Sequence, residues 1–304
     1  MTGVITVGVD GSEHGGAAAD WAAAEAARRG TELRLVHAWV RRPLDLPVTV
    51  DTEAQQRWAE SLLRETVTRV AGQRPGLPVT ARLLPADPVP ALVAEAAEAD
   101  MLVLGSRGHG ALIGYLIGSI ALHVLRQARG PVVLVRSRGG AQEAAEAIGT
   151  GTAEAGPGET GTADEEVLAG VGEEADGVLE FAFAAAAARG ATLRAVRAWT
   201  LPPVTDWGPG SMRLADESGG LAALEEKRLT DALGPWRARY PQVRIVEHVE
   251  MGSAAQVLLS VCGRASLMVV GRHVSGLYGI QRIGHVAHAV LHHAPCPVAV
   301  VPHP

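Results

Sequence analysis

The chain repeats itself, and this repeat limits its folds more than any other feature. Residues 29–39 read RGTELRLVHAW and residues 189–199 read RGATLRAVRAW, so Arg, Gly, Leu, Arg, Val, Ala and Trp recur at an offset of 160. Toward the ends, GPVVLVR at 130–136 answers CPVAVVP at 296–302 at an offset of 166. Self-similarity over about 140 residues means duplicated domains; a solenoid repeats every ~20–50 residues. A chain of 304 residues holds about two domains of ~150, and each is long enough to bury its own core.

Charge marks the joint. Residues 1–138 carry 15 basic and 14 acidic groups, net +1; residues 139–166 carry seven acidic and no basic groups; residues 167–304 carry 12 of each. The middle 28 residues are mostly Gly, Ala, Thr and Glu, with almost nothing large to bury. They read as a linker. Its Ala-Glu stretch at 141–147 has the composition to continue a short helix. The expected layout is one domain at 1–138, an acidic linker at 139–166 and a second domain at 167–304.

Each copy alternates element types. In the first, Val4–Val9 is a short apolar strand ending in the turn Asp10-Gly11-Ser12. Ala17–Arg28 is an Ala-rich helix stopped by Gly30. Further strands are expected at Leu33–Trp39, Val79–Leu84, Met101–Leu104 and Val132–Val135. Helical spacing falls at Glu53–Ala71, at Val89–Ala97 and from Ser119. Apolar strands alternating with helices predict an α/β fold with a parallel, doubly wound sheet. Ligands then belong at the carboxyl ends of the strands.

The strongest chemical signal is VLGSRGHGALIGYLIGSIALHVL at 103–125. Gly105 and Gly108 follow a strand, and Gly118-Ser119 opens the next helix. Glycine lets a backbone approach a ligand closely. Exposed amides at a helix start, with the helix dipole, form an anion site. Arg107 is available as a counter-charge. The plain alternative is a turn needed only for packing. No Gly-Lys-Ser/Thr follows, so this is not a Walker loop, and no dinucleotide fingerprint follows strand one.

These residues resemble the universal stress protein family in its tandem two-domain form. The resemblance rests on GVDGS (8–12), VHAW (36–39), the Gly105/Gly108/Gly118-Ser119 loop and GPVVLVR, in this order. It implies a Rossmann-like five-stranded sheet of order 3-2-1-4-5, ATP (with Mg²⁺ expected) at its carboxyl edge, and last strands paired in an internal pseudo-dimer. It also allows a homodimer of whole chains. By the same resemblance, Asp10 lies near the adenosine with the backbone of Gly8 and Val9 beside it. Ala38 takes the adenine-recognising position. Leu104, Gly105 and Arg107 flank ribose and phosphates, and Gly108, Gly118, Ser119 and Ile120 form the phosphate cradle. A carboxylate in an Asp-Gly turn also often just caps the following helix.

The second copy departs at these positions. GVDGSE (8–13) meets GVGEEA (170–175), so Asp10 becomes Gly172. GSRGHG meets GRHVSG (271–276), so Gly108 becomes Val274, and Gly118-Ser119 meets Gly284-His285. The second site is therefore expected to be impaired for ATP. The competing reading is a pocket adapted to another ligand, with Arg272, His273 and His285 as anion contacts.

Other candidates are weaker. His285, His288 and His292 share one helical face, but without an acidic partner they read as a surface helix end, not a metal site. No nucleophile–base pair stands out, and Ser12 and Ser119 lie outside any GxSxG elbow. Binding without turnover is expected. The first reading is a nucleotide-dependent stress-response regulator with an unidentified protein partner. The alternatives are a slow ATPase or other nucleotide-using enzyme, and a dimerisation module needing no ligand. A net charge of −6 without a basic block argues against nucleic acid. No run of about 18 apolar residues suggests a membrane span. Met1 leads into Val4–Val9 without a basic leader. Cys262 and Cys296 are too few for a disulfide framework, and a cytoplasmic location is expected.

Overall fold

Strands β1 (Val4–Gly8) and β4 (Met101–Gly105) show why the first copy folds as it does. Their short apolar runs leave Ile5, Val7, Met101, Leu102 and Val103 with no exposed surface. Strands buried on both faces need a parallel sheet with helices on each side. The computed structural model describes residues 3–39, 52–106, 117–137, 165–201, 220–274 and 282–304. The chain divides into two compact units. The expected helix at 141–147 and all of the expected linker up to residue 164 lie outside the described residues.

The first unit adds α1 (Glu13–Arg29), β2 (Glu32–Ala38), α2 (Thr52–Gln73), β3 (Val79–Leu84), α3 (Pro88–Glu98), α4 (Ser119–Gln127) and β5 (Val132–Val135). All strand pairs are parallel and the order is β3-β2-β1-β4-β5. Helix α1 begins four residues before the predicted Ala17. The cause is local: the Ser12 side chain accepts from the Gly15 N–H at 3.0 Å and caps the helix. Its far end stops at Gly30, where φ of +63° favours glycine. Its inner face is Ala18, Ala19, Ala22, Ala23 and Ala26, all buried. Such small side chains bring the helix close to the sheet.

That closeness explains Gly105. A Cβ there would meet the His14 carbonyl carbon at 2.7 Å and the Gly15 nitrogen at 2.9 Å. Both are backbone atoms of α1 and cannot turn aside. Gly105→Ala is therefore expected to cost about 1–2 kcal/mol as an overpacked contact, measured by urea unfolding. A variant as stable as the parent would show that α1 can shift freely.

The second unit repeats the plan with β6 (Glu166–Gly170), α5 (Asp176–Arg189), β7 (Thr192–Trp199), α6 (Gly220–Arg239), β8 (Ile245–Met251), α7 (Ala254–Ser260), β9 (Ala265–His273), α8 (His285–His293) and β10 (Val298–His303). Its strands are also all parallel, in the order β8-β7-β6-β9-β10. Strand β6 starts at Glu166, one residue inside the span read as linker. Arg194 holds the Glu166 carboxylate in a two-pronged grip at 2.8 and 2.9 Å, which also raises the Arg194 pKa. Gly190 ends α5 at φ +63°, as Gly30 ends α1. Strand β9 has nine residues against five in β4, and this difference reshapes the second site. Among the described residues no helix is long and apolar enough to cross a membrane.

Candidate functional site

The carboxyl ends of β1, β2 and β4 meet the first turns of α1 and α4 in the first unit. Asp10 lies just beyond β1. Its Oδ1 accepts from the Ser12 N–H at 3.0 Å and the Ser12 hydroxyl at 2.6 Å. The helix cap is thus Ser12, and Asp10 orders the cap from behind. Val9 is buried, and its backbone is engaged on both sides: its N–H donates to the Val36 carbonyl at 2.9 Å, and its carbonyl accepts from His37 Nδ1 at 2.7 Å. A carbonyl oxygen only accepts, so His37 carries a proton on Nδ1. Trp58 stands edge-on to the same ring, 5.7 Å between centroids.

Gly8 pairs with Leu104 across the β1–β4 ladder. A Cβ at Gly8 would meet the Leu104 side chain at 2.7 Å and that of Leu92 at 3.2 Å. Ala38 ends β2 opposite Leu84. Gly118 is the N-cap of α4, and its N–H donates to the Ser106 carbonyl at 2.8 Å. No side chain of the described residues caps α4. Ser119 and Ile120, its first two residues, are exposed. Arg107 and Gly108 lie outside the described residues. The structure therefore brings Gly8, Leu104 and Gly105 together with the start of α1, and ties Gly118 to the end of β4 through Ser106.

Two features escaped the sequence. The Ser106 hydroxyl is buried and finds no hydrogen-bond partner among the described residues. It sits between β5, whose Val135 carbonyl accepts from its N–H at 2.8 Å, and the α4 cap. Its small polar side chain beside Gly105 was the only available signal. The second feature is Arg197, which stands where the first copy has His37. It donates to Glu225, to Glu173 at 2.8 Å and to the Gly172 carbonyl at 3.3 Å. Burial works against its charge, but the two carboxylates outweigh this and leave its pKa raised.

In the second unit the loop equivalent to the cradle is drawn into the sheet. Arg272 and His273 pair with Pro302 and His303 of β10. The Val274 N–H then donates to the His303 carbonyl at 2.8 Å. A cavity of about 210 Å³ persists at the ends of β6, β7 and β9. Arg272, His273 and His285 do not line it. Arg272 is almost fully buried, and burial lowers its pKa. In α8, the His288 and His292 rings are 4.5 Å apart. Among the described residues no group of three or more His, Cys, Asp or Glu side chains is placed to hold a metal. Both cysteines are buried, and burial pushes the Cys262 thiol up to about 11.

Two parallel α/β units of order 3-2-1-4-5 define a tandem Rossmann-like protein. The chain belongs to the universal stress protein family, whose model matches residues 1–136 and 165–302. It is 32% identical over 307 residues to universal stress protein Rv2005c of Mycobacterium tuberculosis, covering 97% of this chain and 96% of that protein. It is 31% identical over 310 residues to universal stress protein Rv2623 of the same organism, covering 97% and 95%. A solved universal stress protein from Archaeoglobus fulgidus shares the fold, with a TM-score of 0.66, 17% identity and 98% of both chains covered.

Proposed function

We propose that the first copy binds ATP with Mg²⁺ and that the protein acts as a nucleotide-dependent regulator in the stress response. The observation that carries this reading is the start of α4. It follows strand β4 and a Gly-rich loop, no described side chain caps it, and Ser119 and Ile120 are exposed. Uncapped first-turn amides and the helix dipole suit phosphate oxygens. The orphan Ser106 hydroxyl beside the cap adds an unsatisfied donor next to that cradle. These groups fit an anionic ligand.

In this reading the amides of Ser119 and Ile120 and the Ser119 hydroxyl hold phosphate, while Asp10 and Ala38 sit on the nucleoside side. The family resemblance assigns Arg107 and Gly108 to the same cradle. Mg²⁺ would offset the charge gathered on the phosphates. In this reading the site binds nucleotide without turning it over. The two cysteines are buried and not joined in a disulfide, which suits a reducing compartment.

Mass analysis of small molecules released on denaturation, followed by titration with ATP, ADP and AMP, tests the proposal. Adenine nucleotide in the purified protein, or heat on titration, is expected. Absence of both would overturn it. Gly108→Val places in the first copy the branched side chain found at Val274. It is expected to weaken ATP binding at least tenfold, about 1.4 kcal/mol. Unchanged affinity in a folded variant would remove Gly108 from the cradle.

A further inference from the structure

We propose that Met251 is a reversible oxidation site, where a hydroperoxide turns the thioether into a sulfoxide while the second unit stays folded. Three observations carry this.

The first is where sulfur lies. The sulfur-bearing side chains among the described residues are Met101, Met251, Met268, Cys262 and Cys296. Met101 and Met268 have no exposed surface, and both cysteines are buried. Burial also pushes the Cys262 thiol up to about 11, and the thiolate is the reactive form. Met251 is 59% exposed, more than any other large apolar side chain among the described residues. Oxidation follows nucleophilicity and exposure. Of these sulfurs, a peroxide in solution meets Met251 first.

The second is the backbone around it. Met251 ends β8, where it pairs with Trp199 of β7. The following residue is anchored, because the Gly252 N–H donates to the Trp199 carbonyl at 2.9 Å. The Met251 side chain stands mostly in water, so an oxygen added to it stays hydrated. The same oxygen on Met101 or Met268 would be a polar group forced into the core.

The third is the comparison of the copies. Strand β8 answers β3 at an offset of 166, which puts Pro85 where Met251 stands. Proline has no sulfur to oxidise, so the site belongs to the second copy.

The step balances with the peroxide alone. The Met251 sulfur attacks the outer peroxide oxygen, and the S–O bond forms as the O–O bond breaks. The proton on the transferred oxygen passes to the leaving oxygen, which departs as water or an alcohol. Sulfur loses the electron pair that the peroxide gains. Methionine sulfoxide reductases, one for each epimer, reverse the change.

Peptide mass mapping of the full chain treated with hydrogen peroxide tests the proposal. Met251 is expected to oxidise at least tenfold faster than Met101 and Met268. Met251→Leu keeps an apolar side chain and is expected to take up one oxygen fewer per chain. The oxidised chain is expected to unfold in urea at the midpoint of the parent, and the two reductases to restore its mass. Met251 reacting no faster than Met101 and Met268, an unchanged oxygen uptake in Met251→Leu, a second unit unfolded by the oxidation, or a sulfoxide that the reductases leave in place would each overturn it.

Discussion

Arg197→Leu is expected to destabilise the second unit by about 3 kcal/mol. Arg197 is 7% exposed and is bound by Glu225, Glu173 and the Gly172 carbonyl. Glu225 is itself buried. Removing one member of a buried pair leaves an uncompensated charge, which costs ~3–5 kcal/mol. Arg228 still reaches Glu225 at 2.7 Å from a half-exposed position, so the lower end applies. The double variant Arg197→Leu/Glu225→Leu removes both charges and is expected to recover much of the loss. Urea unfolding followed by a probe in each unit measures the effect. A loss below ~1 kcal/mol, or one equal in the two units, would contradict the account of Arg197 as a local clasp.

The same clasp shows what the sequence conceals. Position 37 is His and position 197 is Arg within an otherwise repeated segment. Side by side, the two strings show a change of residue but not of partner. His37 meets a carbonyl just past the end of β1, whereas Arg197 gathers carboxylates from α6 and from the turn after β6. Partners so distant along the chain are set by topology, which a periodicity does not carry.

What depends on periodicity was legible. Strands at 79–84, 101–105 and 132–135 follow from runs of apolar residues bounded by Pro, Gly and Asp. The Gly30 stop and its repeat at Gly190 follow from the need for positive φ. The sequence places the start of α1 at Ala17, whereas the Ser12 cap starts it at Glu13 and carries the helix through Gly15 and Gly16. Gly105 was legible as special, but its reason was not. The sequence suggested room for a ligand; the structure also puts the α1 backbone there. The extension of β9 was hidden for a related cause. Arg272 and His273 look like loop residues, and only their pairing with Pro302 and His303 makes them strand.

The two copies are expected to differ in their affinity for nucleotide. The first copy has Asp10, Gly108 and Ser119 where the second has Gly172, Val274 and His285. Loss of a hydrogen bond to a charged group costs ~1.5–3 kcal/mol. The Val274 amide is also committed to His303. A penalty of ~3 kcal/mol alone moves a micromolar site above ~100 μM. Gly172→Asp, Val274→Gly and His285→Ser together are expected to raise the stoichiometry toward two. The most direct measurement is calorimetric titration of the unmodified chain with ATP at micromolar concentrations. One ATP per chain is the predicted result; two equivalent sites would contradict the claim and show that the loop spacing alone suffices for binding.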